Sequence, residues 1–310
     1  VLLFSNRGKV YWLKVYEMPV ASRGSRGKPL VNLLPLGEGE AINAILPVRD
    51  YDPESYIFFA TARGTVKRTS LEQFSRPRSV GLIAIDIEEN DRLVGAAITS
   101  GSDHVMLLSS NGKAIRFEES NVRAMGRTAR GVRGMRLVGN AEVISLIIPH
   151  SQQIDAEADL EAEEGAVAET GNGGQIYILT ASENGYGKRT RLEEFPLRGR
   201  GGQGVIAMQT SERNGALVAA MQVYSTDEMM LITDRGTLVR TRVDEVSITS
   251  RNTQGVMLIR LGNDETLVKT VRIDEPEDLA EELGEELGTD PHVEAPVDGT
   301  EDAGGEPDLE

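Results

Sequence analysis

The chain of 310 residues contains no cysteine, one tryptophan and only three histidines. The absence of cysteine excludes a disulfide framework and a thiolate metal site, and it fits a reducing cytoplasm. No apolar run approaches the roughly 20 residues that a membrane-spanning helix needs. The first residues lack the basic region of a signal peptide, and VLLFSNRGKVYW is expected to be a strand cut from a longer protein.

Charge is distributed very unevenly along the chain. The formal net charge is -16, yet residues 274–310 hold 16 acidic residues and no lysine or arginine. A second stretch, residues 151–174, holds 7 acidic residues and no base. The remainder carries 33 basic and 26 acidic side chains. A mildly basic body with two acidic appendages is therefore compatible with a polyanionic partner.

Five segments repeat one pattern: an apolar run, a turn glycine, a strand with basic residues, a polar loop and a second glycine before another apolar run. The turn glycines are Gly8, Gly64, Gly112, Gly185 and Gly236. Their spacings are 56, 48, 73 and 51 residues, and the longest interval contains the 24-residue acidic insertion. A period near 50 residues indicates a repeat architecture.

Each repeat has the character of β structure, because short Val-, Ile-, Leu-, Thr- and Phe-rich runs are bounded by Gly-containing turns. About four strands in some 50 residues favour a propeller-like array of blades over a continuous sandwich. The second glycines are Gly27, Gly81, Gly134, Gly204 and Gly255. They indicate either a loop that places a functional group or a simple bend into the next strand.

Basic residues recur at matching offsets. The fourth residue after the turn glycine is Trp12, Arg68, Arg116, Arg189 or Arg240, and the third is Tyr11, Lys67, Ile115, Lys188 or Val239. Because adjacent strand residues point to opposite faces, we expect the fourth position to face solvent. If each repeat forms one blade of a propeller-like disc, these residues and the Arg-rich loops recur around its outer edge. The arrangement therefore predicts a basic girdle on the rim of the disc that binds DNA phosphates. The alternative is that these charges are only solvated.

The chain resembles the C-terminal domain family of bacterial DNA gyrase A subunits. The stretches that carry the resemblance are RGKVYWLKVYEMP, RGKPLVNLLPL, SSNVRAMGRTARGVRGMRL, NGYGKRT, ITDRGTLVRT and SRNTQGVMLIR. The resemblance implies an all-β pinwheel of about 50-residue, four-stranded blades that exchange strands. It also implies that duplex DNA is wrapped on the rim with positive handedness, so that the holoenzyme introduces negative supercoils with ATP hydrolysed on the B subunit.

Two features depart from the family pattern. Five blades are visible where six are usual, and no QRRGGKG-like gyrase box occurs. The nearest segments are RGSRGK at 23–28 and RGRGGQG at 198–204. We expect the box upstream of Val1. The related domain of the topoisomerase IV A-type subunit is the first alternative. A protein-interaction propeller is the second, although the Gly-His and Trp-Asp signature of WD repeats is missing.

The predicted DNA-binding residues lie in the outer strands and the loops. They are Arg23, Arg26, Lys28, Lys67, Arg68, Arg76, Arg78, Lys113, Arg116, Arg127, Arg130, Lys188, Arg189, Arg198, Arg200, Arg240 and Arg251. Arg123 and Arg133 add to the same loops. The expected partners are double-stranded DNA, the N-terminal catalytic part of gyrase A and the gyrase B subunit, in the bacterial cytoplasm at the nucleoid.

No catalytic residue, cofactor or metal is expected in this segment. His104, His150 and His292 are scattered along the sequence, whereas metal and general-base sites need clustering. Carboxylate pairs such as Glu118 with Glu119 are expected to be solvated loop charges. Residues 1–273 are predicted to form the DNA-binding domain.

The acidic tail, residues 274–310, is predicted to be disordered apart from a short helix at Asp278–Leu287, because its composition cannot form a core. It has two possible roles: to keep the protein soluble, or to compete with DNA for the basic rim. The insertion at residues 151–174 is predicted to be a mobile acidic loop.

Overall fold

The computed structural model describes residues 1–20, 27–149 and 175–273. All of them belong to one compact unit, Val1–Asp274. Within these ranges the regular structure consists of β-strands and short 3-10 helices, and no α-helix is present. None of the helices in these ranges is long and apolar enough to cross a membrane. The predicted tail helix and the acidic insertion lie outside the described residues.

The strands recur in the same order in every repeat. In chain order they are β1 (Leu2–Ser5), β2 (Lys9–Trp12), β3 (Ile42–Leu46), β4 (Tyr56–Thr61), β5 (Thr65–Ser70), β6 (Leu82–Ile83), β7 (Leu93–Thr99), β8 (His104–Ser109), β9 (Lys113–Glu118), β10 (Val132–Arg133), β11 (Val143–Ile147), β12 (Tyr177–Ser182), β13 (Tyr186–Arg191), β14 (Val205–Ile206), β15 (Leu217–Val223), β16 (Glu228–Thr233), β17 (Leu238–Arg242), β18 (Val256–Met257) and β19 (Leu267–Ile273).

Each of the first four sheets, or blades, takes its outermost strand from the following repeat. The orders are β3-β1-β2-β6, β7-β4-β5-β10, β11-β8-β9-β14 and β15-β12-β13-β18, and the fifth blade is β19-β16-β17. All these pairings are antiparallel. The predicted all-β pinwheel with five blades and exchanged strands is therefore confirmed. Among the described residues, the fifth blade has three strands rather than four.

In repeats 2 to 5 a glycine makes the bend into the exchanged strand. Gly81, Gly131, Gly204 and Gly255 immediately precede β6, β10, β14 and β18, with φ between 74° and 113°. In repeat 3 the bend lies at Gly131, so the sequence-based assignment to Gly134 was wrong. A Cβ on Gly204 would lie 2.1 Å from the carbonyl oxygen of Ala114. The glycine is thus required both by its φ and by the close approach of the neighbouring strand.

The apolar core lies between successive blades. Phe58 of blade 2 and Phe117 of blade 3 are fully buried in one cluster, with their ring centroids 6.3 Å apart. Burial of such a side chain contributes about 1.5–3 kcal/mol. The inner strands β3, β7, β11, β15 and β19 contact one another in succession. The exchanged strands therefore lie at the opposite, outer edge of each blade.

A 3-10 helix follows the second strand of every repeat. These helices are Val15–Glu17, Leu71–Phe74, Glu119–Asn121, Leu192–Glu194 and Val243–Glu245, and a further one is Leu30–Asn32. From the second to the fifth of them, the chain returns to the preceding blade through an outer-edge segment before forming the exchanged strand. We call these segments, residues 75–81, 122–131, 195–204 and 246–255, the rim loops.

Candidate nucleic-acid interface

The side chain at the fourth position after the turn glycine joins each blade to the next repeat. Trp12 donates its Nε1–H to the carbonyl of Phe74, over 2.9 Å, at the end of the following 3-10 helix. Arg116 donates to the carbonyls of Leu192 and Phe195, at 3.3 and 3.4 Å, around the equivalent helix. Tryptophan and arginine thus make equivalent contacts, because both carry an N–H donor.

Arg189 and Arg68 likewise connect their blades to the 3-10 helix of the following repeat. The Arg189 guanidinium donates to the carbonyls of Val246 (2.7 Å) and Asp244 (2.9 Å), and only 4% of the residue is exposed. Arg68 lies 3.8 Å from the buried carboxylate of Glu119 and over the ring of Tyr56. Burial lowers the pKa of Arg116 and Arg189 from the ordinary arginine value.

Arg189 is buried and Arg68 and Arg116 are only partly exposed, so the expectation that these side chains face solvent is wrong. The chain of the following repeat runs alongside this position, as parallel bridges to Ala124, Leu197 and Ile248 show. The side chains of Arg116 and Arg189 point at carbonyl groups in and next to the 3-10 helix of the following repeat, so strand alternation does not expose the fourth residue. Arg240, in the fifth blade, is exposed and pairs with Glu228 of its own sheet. No strand from a further repeat covers it within the part of the chain that the structure describes.

Lys67 and Lys188, predicted to bind phosphates, are fully buried. The Lys67 Nζ donates to main-chain carbonyls of Ala84 (2.5 Å), Arg127 and Ala129 (3.2 Å). The Lys188 Nζ donates to the carbonyls of Ser250 and Arg251, each at 2.6 Å. Burial lowers the pKa of Lys67 to about 7 and that of Lys188 to about 8. Neither side chain can reach a phosphate in this fold.

An arginine of each of three rim loops bridges to the preceding exchanged strand. Arg127 donates to the carbonyl of Ile83 at 3.4 Å, Arg200 to that of Arg133 at 2.9 Å, and Arg251 to that of Ile206 at 3.0 Å. Each arginine lies four residues before the positive-φ glycine, and each acceptor is the last residue of β6, β10 or β14. The three guanidinium groups thus occupy equivalent places at the junctions of blades 1 to 4.

Most of the other predicted loop residues lie on the surface. Arg130 is exposed and pairs with Asp86 and Glu88, at 3.2 and 2.8 Å. Those that are exposed and make no bridge of this kind to another described residue are Lys28, Arg76, Arg78, Arg123, Arg133 and Arg198. Lys113 is half-buried, with its Nζ 3.5 Å from the side-chain oxygen of Gln203. Arg23 and Arg26 lie outside the described residues.

Sequence reasoning missed two exposed arginines next to the rim. Arg136 and Arg260 are each the fifth residue after the positive-φ glycine, a position held by Asp86 and Gln209 in the other repeats. The Arg136 amide donates to the carbonyl of Gly202 in the next rim loop, at 2.8 Å. Aligning repeat 3 on Gly131 instead of Gly134 would have revealed this position.

The described residues contain no group of three or more acidic or histidine side chains that could hold a metal. His104 accepts a hydrogen bond from Arg116 at 2.9 Å, which is a structural contact. Glu119 is fully buried and accepts from the Thr99 hydroxyl at 2.7 Å, so its expected place in a solvated loop was wrong.

Comparison with known proteins gives consistent results for all five repeats. The family model described as "DNA gyrase C-terminal domain, beta-propeller" matches residues 1–49, 55–100, 103–150, 177–223 and 227–274. The DNA gyrase A protein of Salmonella typhimurium is 53% identical over 278 residues, which are 90% of this chain and 29% of that protein. The Pseudomonas aeruginosa gyrase A protein is 52% identical and is matched over 91% of this chain and 33% of its own length.

Solved structures show the same architecture. The C-terminal domain of a DNA topoisomerase IV superposes with a TM-score of 0.77 at 24% identity, covering 93% of this chain and 84% of that one. The C-terminal domain of a DNA gyrase A superposes with a TM-score of 0.70 at 25% identity, covering 88% and 81%. This chain spans about a third of the length of the curated gyrase proteins that it matches. The chain belongs to the DNA gyrase C-terminal domain family of β-propellers.

Proposed function

We propose that this chain binds double-stranded DNA along its outer edge, without sequence specificity, and wraps it. The observation that supports this is the row of Arg127, Arg200 and Arg251 at three successive blade junctions. Guanidinium groups bind phosphate oxygens well, because their planar donors match the anion. The exposed rim-loop residues Arg76, Arg78, Arg123, Arg130 and Arg198, with Arg133 at the end of β10, extend the row.

Wrapping demands charges that are spread along a curved path. DNA has a persistence length of about 150 bp, so bending it around a small protein costs several kcal/mol. A single patch of cations would bind the duplex but would not offset that cost along the bend. A guanidinium at each of these three junctions supplies phosphate contacts at intervals, and each contact releases counterions from the DNA. The buried Lys67, Lys188 and Arg189 and the half-buried Arg68 and Arg116 bind groups within the fold and are not direct DNA contacts in this proposal.

We further propose that the chain acts as the C-terminal part of a gyrase A protein in an ATP-dependent type II topoisomerase. The identity of 53% to a gyrase A protein supports gyrase over topoisomerase IV, whose similarity at 24% identity shows the fold alone. In that role, DNA cleavage belongs to the N-terminal part of the same protein, and ATP hydrolysis belongs to the B subunit. The complex works on the nucleoid in the bacterial cytoplasm.

Topology of ligated DNA tests the wrapping proposal. The chain is incubated with nicked circular DNA, the nick is sealed by ligase, and the linking number is read after deproteinisation. We expect a shift toward positive supercoils that grows with protein concentration. The variant R127A/R200A/R251A is expected to lose most of it. The control R49A/R63A/R213A, which removes three exposed arginines outside the rim loops, is expected to retain it. An unshifted linking number at saturating protein would reject wrapping.

A further inference from the structure

Two rim loops each accept hydrogen bonds from a buried lysine of a neighbouring strand. Lys67 belongs to β5 of blade 2, yet its acceptors Arg127 and Ala129 belong to the rim loop of repeat 3 and Ala84 to the segment after β6. The side chain is fully buried and its Nζ also lies 5.6 Å from the centre of the Phe59 ring. One nitrogen thus binds three carbonyls from two consecutive segments of the outer edge.

Lys188 makes the corresponding contacts in blade 4. Its Nζ donates to the carbonyls of Ser250 and Arg251 at 2.6 Å and to the Thr253 hydroxyl at 3.1 Å. Both lysines are the third residue after their turn glycine. Each lysine donates to the main-chain carbonyl of an arginine that bridges two blades at the rim. That arginine is Arg127 for Lys67 and Arg251 for Lys188.

Blade 3 shows that this contact is not a general requirement of the fold. Ile115 occupies the equivalent position and is buried. The rim loop there is held by other bonds: Arg200 donates from Nε to the carbonyl of Asn121 at 2.9 Å, and the Gly201 amide donates to the carbonyl of Gly134 at 2.6 Å. An apolar residue at this position is thus compatible with a formed blade and rim loop.

We propose that Lys67 and Lys188 are positioning residues for DNA binding, and that each fixes the backbone from which Arg127 or Arg251 reaches the phosphates. This inference rests on the proposed function of the rim. An arginine on a loop that is already ordered loses less conformational entropy on binding than one on a loose loop. The lysines increase DNA affinity without touching DNA.

A double-mutant cycle tests the proposal in blade 2. DNA affinity is measured by fluorescence anisotropy for the parent chain, K67M, R127A and K67M/R127A. We expect K67M to weaken binding by about three- to tenfold, as the loss of one ordered contact predicts. In the R127A background the same substitution is expected to have almost no effect, because Lys67 acts through Arg127. K269M, which removes an exposed lysine of β19, controls for the lost charge.

Amide hydrogen exchange in residues 122–131 provides the structural readout. K67M is expected to accelerate exchange in this rim loop while protection in β4 and β8 is retained. Unchanged DNA affinity in K67M, or additive effects of K67M and R127A, would overturn the positioning role. If R127A alone binds DNA as tightly as the parent, the assignment of this loop to the DNA interface fails instead. Should K67M not fold, K188M with R251A provides the same cycle in blade 4.

Discussion

Trp12 and Arg189 are chemically unlike, yet each directs an N–H group at a carbonyl of the next repeat. The shared requirement at this position is a long side chain with a nitrogen donor, since the buried carbonyls around the following 3-10 helix need partners. At the residue scale, Arg68, Arg116 and Arg189, which recur at the fourth position after the turn glycine, therefore stabilise the contact between each blade and the next repeat. The cations available to DNA lie instead in the loops outside them.

Replacement of Arg189 separates these two roles. R189M is expected to lower the free energy of unfolding by about 3 kcal/mol, because buried carbonyls lose their charged donor. R191M replaces an exposed arginine of the same strand, β13. It is expected to change the free energy of unfolding by less than about 0.5 kcal/mol. Chemical denaturation measures both. Equal stability of the two variants would show that Arg189 does not connect the blades.

The two buried lysines predict a specific pH dependence of stability. Burial, aided by the charge of Arg127 and opposed by that of Asp86, lowers the pKa of Lys67 to about 7 from the ordinary lysine value of 10.5. Between these pH values the unfolded chain binds a proton that the folded chain has released, so the free energy of unfolding rises with pH. Lys188, near Glu194 and Arg251, contributes the same rise from about pH 8.

Urea denaturation of the parent and of K67M at pH 6.5 and pH 9 measures this contribution. The stability of the parent relative to K67M is expected to increase over that interval, because only the parent carries the shifted group. A difference that stays constant across the two pH values would contradict a lowered pKa of Lys67. K269M serves as the control with an exposed lysine removed.

At the element scale, the exchanged strand depends on the glycine that precedes it. Gly204 has φ +75°, and a Cβ there would collide with the carbonyl of Ala114. We expect G204A to destabilise the protein by at least about 2 kcal/mol. Gly199, in the same rim loop, has no atom within 4 Å of the position that a Cβ would take, so G199A is expected to change stability by less than about 1 kcal/mol. Thermal unfolding of both variants tests this, and a tolerated G204A would contradict the assigned role.

The β repeats could be predicted from the sequence, but the burial and the bonding partners of their basic side chains could not. Turn glycines such as Gly112, with apolar runs on both sides, were sufficient to predict five β repeats, and the resemblance supplied strand exchange. The environment of Arg116 was not predictable from alternation, because the carbonyls that its side chain meets, those of Leu192 and Phe195, lie more than 70 residues away in the next repeat. Lys67 gave no sign of burial, since lysine is almost never fully buried. Arg200 was predicted, although its bond to the carbonyl of Arg133 was not.

On the scale of the whole molecule, the blades carry a net positive charge and the tail a net negative one. Residues 274–310 carry 16 acidic groups and lie outside the described residues. If they compete with DNA for the rim, truncation after Asp274 is expected to tighten DNA binding, most strongly at low salt where electrostatic attraction is least screened. Anisotropy measurements at two salt concentrations provide the comparison. Equal affinity of the truncated and complete chains would reject competition.

The salt dependence of DNA affinity measures how many phosphates the rim arginines neutralise. Each phosphate neutralised by a lysine or arginine contributes about 0.9 to the slope of log affinity against log salt. If Arg127, Arg200 and Arg251 each bind a phosphate, R127A/R200A/R251A is expected to reduce the magnitude of the slope by about 3 relative to the parent, while R49A/R63A/R213A leaves it close to the parent value. An unchanged slope in R127A/R200A/R251A would contradict the account of the rim as the DNA-binding surface.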